Sequence, residues 1–543
     1  LKTHQILLIF AIILFFSISL VLLLESPIIN IDYVLSNISK SSPDYKKLII
    51  GRANESISLD PAVTTDQESF KVTVNIYDNL VKYEKNGIGM VPSLAESWKT
   101  TEDGLIWVFR LRKNIKFHDG TNFNAHAVAF NFNRWMNSES PYHTGHFSYW
   151  NYNFGGFPGI VKSATALSDY SLEIVLTKPY APFLSTLALP SFGIASPDAM
   201  MKYNESFKYH PIGTGPFSLK SWEMGEKITL ERNRNYWGET PKLNEIEFRT
   251  IPSNEKRMML LKLGEIHMVD NLVLDDIQKI DDSDDLRLHA RPFFNIGYLA
   301  LNNTKEPLNK KEVRRAIGHL IDKDDMIKEV FNYLTRPANS FLPPVVWGYN
   351  ETIKSLEYDV DKAKQLLKEA GLSDGFEINL WVMDSPRDYS PDPIALAEFI
   401  KESLNKANIT VNIEVMKWDQ YIDRIKDGDH EMALIGWNGD NVDPDNFLYT
   451  FFASENIKPG LASNYSFYNN PQVDLLLSQA RQVTDMEFRR NIYRELQGII
   501  HSDTPSIPLV HTMPTIGARS AVKGYVPHII GEEPLDQVDL LIE

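Results

Sequence analysis

The chain holds 543 residues, 43% of them hydrophobic and 11% aromatic, with a formal charge of −16, a composition that builds cores and excludes disorder of the whole chain. At roughly 150 residues per domain, more than one core and at least one cleft between cores are expected. The acidic balance without a basic run excludes nucleic acid as a partner, and the absence of cysteine excludes disulfides, Cys-ligated zinc, iron–sulfur clusters and thiol catalysis.

In chain order, the first element is Ile6–Leu24, which carries no charged side chain and is interrupted only by Ser17 and Ser19. At about 1.5 Å per residue it nearly matches a ~30 Å hydrocarbon core. Lys2 precedes it and Glu25 follows, so the positive-inside rule places everything after residue 25 outside the cytoplasm. A cleavage site would need small residues where Leu22, Leu23, Leu24 and Glu25 stand, so residues 1–25 are expected to remain as a membrane anchor rather than leave as a signal peptide. Residues 26–47, with the Ser-rich run Ser36–Asp44, read as a tether.

Residues 48–295 read as a strand-rich first lobe. Short β-type runs bounded by turn residues fall at Lys46–Gly51, Ile106–Arg112, Ser171–Leu176, Lys227–Arg232 and Glu245–Ile251, with a helix at Ala125–Met136 and an inserted subdomain at about 93–212. Residues 296–508 change character. Ala363, Leu366, Leu367 and Ala370 recur at helical spacing, as do Trp418, Tyr421, Ile422 and Ile425, and Val473, Leu476, Leu477 and Ala480. Asp359 caps the first of these helices and Gly371 ends it. Apolar strands at Phe376–Val382, Thr410–Met416 and Met432–Gly436 alternate with them, which is the pattern of a parallel sheet with crossover helices in an α/β fold. Residues 509–543 are expected to return to the first lobe, giving two crossings, near Phe293–Asn302 and near Ser502–Pro514. Paired crossings imply a hinge about a cleft.

Ligands of open parallel sheets sit beyond the carboxyl ends of the strands. The loop after Val382 supplies one cation, Arg387, and the loop after Gly436 supplies several carboxylates, among them Asp440. A dipeptide zwitterion needs a donor fork at one end and an acceptor at the other, which Arg387 and Asp440 provide, while Trp437 and Tyr389 offer flat apolar walls. The spacing by itself leaves a surface ion pair or an Asx turn open.

Leu94–Trp98, Ile115–Gly120, Pro211–Phe217, Arg232–Trp237 and Gly436–Asn441 together resemble the extracytoplasmic solute-binding proteins of peptide ABC transporters, family 5, in particular the dipeptide-binding branch. The spacing continues through Asp443–Phe447, and Asn133–Trp135 with Ser140–His143 resembles the small subdomain of the same family. The resemblance implies a two-lobed, hinged periplasmic-binding-protein type II fold with an extra small subdomain and the ligand buried between the lobes. It carries the carboxylate-binding Arg onto Arg387 and the ammonium-binding Asp onto Asp440, with Tyr389, Trp437, Gly439 and Tyr142 around the pocket. It implies a monomeric, non-enzymatic receptor for a short peptide that delivers its cargo to membrane permease subunits, without cofactor or metal. Asp388 departs from the pattern and is expected to compete for the Arg387 guanidinium. A retained protein anchor is a second departure, since family members are usually released or lipid-anchored.

Other receptors of this fold, for oligopeptide, glutathione, haem or a nickel complex, are the alternatives within the class. A membrane-tethered hydrolase and a structural protein without ligand are the alternatives outside it. Gly213–Pro216 lacks the Lys-Ser or Lys-Thr of a phosphate loop and reads as a turn, as does His118–Gly120. His430–Glu431 lacks the second His of a zinc-protease motif, the acids Asp281, Asp282, Asp284 and Asp285 read as a solvated loop, and no Gly-x-Ser-x-Gly segment occurs.

Overall fold

The computed structural model describes residues 45–541 except 85, 86, 88, 271 and 332. The expected anchor and nearly all of the tether lie outside the described residues, and among the described ones no helix is long and apolar enough to cross a membrane.

Two main sheets organise the chain. The first has seven strands in the order Leu286–Ala290, Thr515–Arg519, Met268–Val269, Lys47–Arg52, Glu245–Thr250, Lys227–Arg232 and Phe217–Glu223. A four-stranded antiparallel sheet, Ala95–Thr100, Ile106–Leu111, Ser171–Leu176 and Val161–Ser168, is inserted into this lobe beside helix Ala125–Met136. The second main sheet has six strands in the order Thr335–Pro337, Ser506–Thr512, Asn295–Leu301, Met432–Asn438, Phe376–Met383 and Ile409–Met416.

The three strands whose pattern suggested a parallel sheet are parallel, and they form one half of the second sheet. Phe376–Met383 runs parallel to both of its neighbours. Asn295–Leu301 pairs antiparallel with strands on either side, and every one of its residues is buried. Ser506–Thr512 also belongs here, so residues 509–512 remain in the second lobe and the chain returns to the first at Thr515. Pro508 fits inside this strand because the register shifts opposite Gly297 and Tyr298, and a bulge tolerates the missing N–H.

Helices form where capping and apolar spacing agree. Asp359 Oδ1 accepts the Lys362 N–H at 2.8 Å to start Val360–Glu369, and Asp392 caps Pro393–Asn405 with Pro at the start of the first turn. These two and Lys311–Leu320 bury Leu366, Ile400 and Ile317 against one face of the second sheet. The other face meets Trp418–Asp427 and Asp445–Phe452 in an aromatic-rich core that continues into the inserted subdomain of the first lobe. The lobes are therefore closed on one another. The Tyr152 hydroxyl lies 2.7 Å from Thr450 Oγ1, and the Ala181 N–H donates to the Arg481 carbonyl at 2.7 Å.

The two crossings are short and bonded to each other. Arg291 N–H donates to the Pro514 carbonyl at 2.9 Å. One residue into the second sheet, Asn295 Oδ1 accepts the Thr512 N–H at 2.9 Å while its Nδ2 donates to Thr512 Oγ1 at 2.8 Å. Asn295 is 1% exposed, so water cannot replace these bonds. Asn295→Ala is expected to cost about 1–3 kcal/mol, because it leaves the Thr512 N–H buried without an acceptor. Urea unfolding of the variant beside the wild type measures this, and an unchanged midpoint would contradict it.

Candidate functional site

Three adjacent parallel strands, Met432–Asn438, Phe376–Met383 and Ile409–Met416, point their carboxyl ends the same way. The segments that follow carry Asp440 and Arg387 in loops and Trp418 at the start of a helix, with the Arg387 loop in the middle. In that loop Arg387 and Ser390 exchange backbone hydrogen bonds of 3.0 and 2.9 Å, a tight turn that fixes the base of the Arg387 side chain. The guanidinium lies over the Trp418 ring, 3.8 Å from its centroid, a cation–π contact that leaves its N–H edges available. Among the described residues it makes no ion pair, and its Nε is buried without a hydrogen-bond partner. Asp388 does not compete for it as expected: the Asp388 carboxylate accepts from Asn438 Nδ2 at 3.2 Å, which ties the middle loop to the Asp440 loop. Arg387 lines a cavity of about 470 Å³ between the lobes, together with Asn438, Arg291, Gln67 and Thr512.

The Asp440 loop holds three acids in a short span, and the structure separates them. Asp443 receives a two-pronged bond from Arg489 at 2.9 and 2.7 Å. Asp445 sits 3.3 Å from Arg481, whose guanidinium is stacked on Tyr449. Asp440 has no cation among the described residues. Its Oδ1 accepts from the Tyr149 hydroxyl of the opposite lobe at 3.2 Å, and its own N–H donates to Asn446 Oδ1 at 2.9 Å. Asp440 is partly buried as a residue, and its carboxyl group is enclosed deeply enough that desolvation pushes its pKa up to about 6, against the lowering effect of the Asn446 and Tyr149 bonds. Arg387 lines the 470 Å³ cavity and Asp440 does not; Asn438 lines that cavity two residues before Asp440.

A family model described as bacterial extracellular solute-binding proteins, family 5 Middle, matches residues 89–459. The dipeptide-binding protein of Escherichia coli K12 is 33% identical over 513 residues, covering 92% of this chain and 96% of that protein. Heme-binding protein A of Haemophilus influenzae is also 33% identical, over 495 residues, covering 88% of this chain and 89% of that protein. Among solved structures, the ABC transporter-associated periplasmic binding protein DppA of Helicobacter pylori, in complex with the peptide STSA, superimposes with a TM-score of 0.78 at 34% identity, covering 92% of this chain and 99% of that one. The chain belongs to the family 5 solute-binding proteins.

In this family 5 protein the other expected site residues take different places. Trp437 is the penultimate residue of its strand, where a loop was expected, and its Nε1 donates to Asn446 Oδ1 at 3.1 Å. Asn446 thereby fixes both the indole and the Asp440 backbone. Gly439 donates its N–H to the Phe294 carbonyl at 3.0 Å and abuts the Phe294 and Phe447 rings so closely that no Cβ would fit. The Tyr389 ring is buried over Gly436, where the missing side chain makes room, in the aromatic-rich core that continues into the first lobe. Tyr142 packs on Phe130 and offers its carbonyl to Arg134 within the first lobe. The loops at His118 and Gly213 pack on each other as turns, with His118 Nε2 3.0 Å from the Gly215 carbonyl.

Tyr149 and Trp418 were missed. Tyr149 lies in the dense aromatic run His146–Tyr152, and Trp418 follows the carboxyl end of its strand just as the Arg387 and Asp440 loops follow theirs; both patterns are visible in the sequence.

A carboxyl whose folded pKa lies above its unfolded value favours the folded state at low pH and loses that contribution as pH rises through the folded value. Relative to ligand-free wild type, Asp440→Asn is therefore expected to gain stability as pH rises from about 4 through about 6, reaching on the order of 1–3 kcal/mol near neutrality. Thermal melts of both proteins across this range test it; a pH-independent difference would contradict it.

Proposed function

We propose that this family 5 protein is the extracytoplasmic substrate-binding component of an ABC transporter for short peptides, most simply dipeptides. It captures the ligand by hinge closure as a monomer and hands it to membrane permease subunits. The observation that carries this reading is the uncompensated Asp440 carboxylate in the contact between closed lobes, with the unpaired Arg387 cation on the neighbouring loop. Asp440 would take the ligand ammonium and Arg387 its carboxylate, the peptide running past Asn438 between them. Closing over the ligand excludes water and strengthens both pairs. The names of the Escherichia coli relative and of the peptide-bound Helicobacter pylori protein support the same cargo. A haem-binding relative is equally identical, so overall identity does not choose the ligand; two opposite charges at the strand ends favour a zwitterion. Residues 48–295 with 513–543, and 296–512, would form the two moving lobes, and Ile6–Leu24 would hold the protein at the outer face of the membrane.

Calorimetric titration of dipeptides into Asp440→Ala and Arg387→Ala tests the site. Each is expected to lose about 2–5 kcal/mol of binding, much of it from the ligand charge left unpaired. Acetylating the peptide amine should weaken binding to wild type and leave Asp440→Ala little affected; wild-type affinity in both variants would remove these residues from the site. Mass analysis after incubation should return the peptide intact, whereas cleaved peptide would support a hydrolase. Amino-terminal sequencing of the mature protein reports whether the anchor is kept.

A further inference from the structure

A second cavity, of about 380 Å³, opens in the first lobe between residues 74–93, residues 216–239 and the C-terminal segment 524–537. This is within the range of ~300–1,000 Å³ that small-molecule pockets occupy. Its lining brings the carboxylates of Asp78, Glu239, Glu532 and Asp536 together against one amine, Lys82. Asp78 is already satisfied: it accepts from Thr214 and Trp237 at 2.8 Å each and from Tyr236 at 3.2 Å. Glu239 and Asp536 share the Gln537 amide, each at 3.3 Å.

Glu532 and His528 are not satisfied. The His528 side chain is 10% exposed and the Glu532 side chain 14%, yet His528 Nδ1 and Glu532 Oε1 are both buried without a hydrogen-bond partner. The imidazole Nδ1 stands 3.8 Å from Glu532 Oε2, beyond hydrogen-bond reach. Burial, and next the Arg291 charge, lower the His528 pKa to about 4, so the ring is neutral and does not offset Glu532. Burial and the adjacent Glu533 raise the Glu532 carboxyl well above its ordinary value. This corner lacks a hydrogen-bond partner, and a cation that donated to Glu532 would let its carboxyl give up the proton that burial favours. Among the described residues no group of three or more His, Asp or Glu side chains is arranged to hold a metal ion.

Tyr83 lines the cavity and belongs to the same core between the lobes as Val442, two residues past Asp440; burial, and then Glu532, raise the Tyr83 phenol well above its ordinary value. Tyr149, the donor to Asp440, likewise feels Glu532 as well as Asp440. Resting on the peptide-binding reading above, we infer that this cavity receives the guanidinium or ammonium side chain of a peptide whose terminus is held at Asp440, so that the protein favours peptides carrying Arg or Lys.

Calorimetry on the wild-type protein with matched peptides decides it: Ala-Lys and Lys-Ala against their norleucine counterparts, Ala-Arg and Arg-Ala against their citrulline counterparts. The basic member of at least one pair is expected to bind about tenfold tighter, or ~1.4 kcal/mol, and Glu532→Gln to remove most of that gap. Equal affinities within every pair would overturn the inference and leave peptide binding standing; no binding by any peptide would overturn both. A gap undiminished in Glu532→Gln would overturn the assignment to this cavity. Methylguanidinium binding alone as tightly as the Arg peptides would make it a separate cation site and overturn the inference too. If Glu532→Gln does not fold, the wild-type comparison still decides, with Asp536→Asn as the second variant.

Discussion

The closed arrangement turns on one carboxylate. Asp443 and Asp445, on the same loop as Asp440, have Arg489 and Arg481 beside them, while Asp440 is enclosed by the opposing lobe with only hydroxyl and amide partners. Burying a charge without a counter-charge is costly, and a carboxylate in that position either takes up a proton or acquires a cation. Separating the lobes returns Asp440 to water. An ammonium arriving with a ligand removes the same cost with the lobes shut, so it stabilises the closed state selectively, as a ligand must in order to shift a two-state equilibrium.

The rest of the architecture keeps that carboxylate in register with what closes over it. Asp443 and Asp445 anchor the loop to the helices behind it through Arg489 and Arg481, and Asn446 fixes the Asp440 backbone and the Trp437 ring with one amide oxygen. At the hinge, the Thr512 hydroxyl that receives the Asn295 amide donates in turn to the Asp388 carbonyl at 2.7 Å, so the crossings are bonded directly to the Arg387 loop. Rotation at the crossings and the position of the binding loops are thereby coupled through a contiguous set of hydrogen bonds.

Much of this was legible in the sequence because it depends on local patterns. The helical spacing at Ala363 to Ala370, its Asp359 cap and the alternation with apolar strands located the second lobe, and carboxyl-end geometry pointed to the Arg387 and Asp440 loops. Non-local choices were not legible. Nothing near Asp440 announces that Arg489 and Arg481 will claim its neighbours, or that Tyr149 will meet it from the other lobe. Nor does anything near Tyr389 announce that its ring will fill the space above Gly436. The boundary expected after residue 508 falls inside a strand, because Ser506–Thr512 pairs with Asn295–Leu301, distant in the sequence, through a register shift that accommodates Pro508.

Small-angle X-ray scattering of the ligand-free protein between about pH 5 and about pH 8 addresses the central claim most directly. The wild type should be more compact, with the lobes closed, at the acid end and open as pH rises through the Asp440 pKa of about 6. Asp440→Asn should stay closed to the same extent throughout. Equal compactness of the two proteins at every pH, without ligand, would contradict the account.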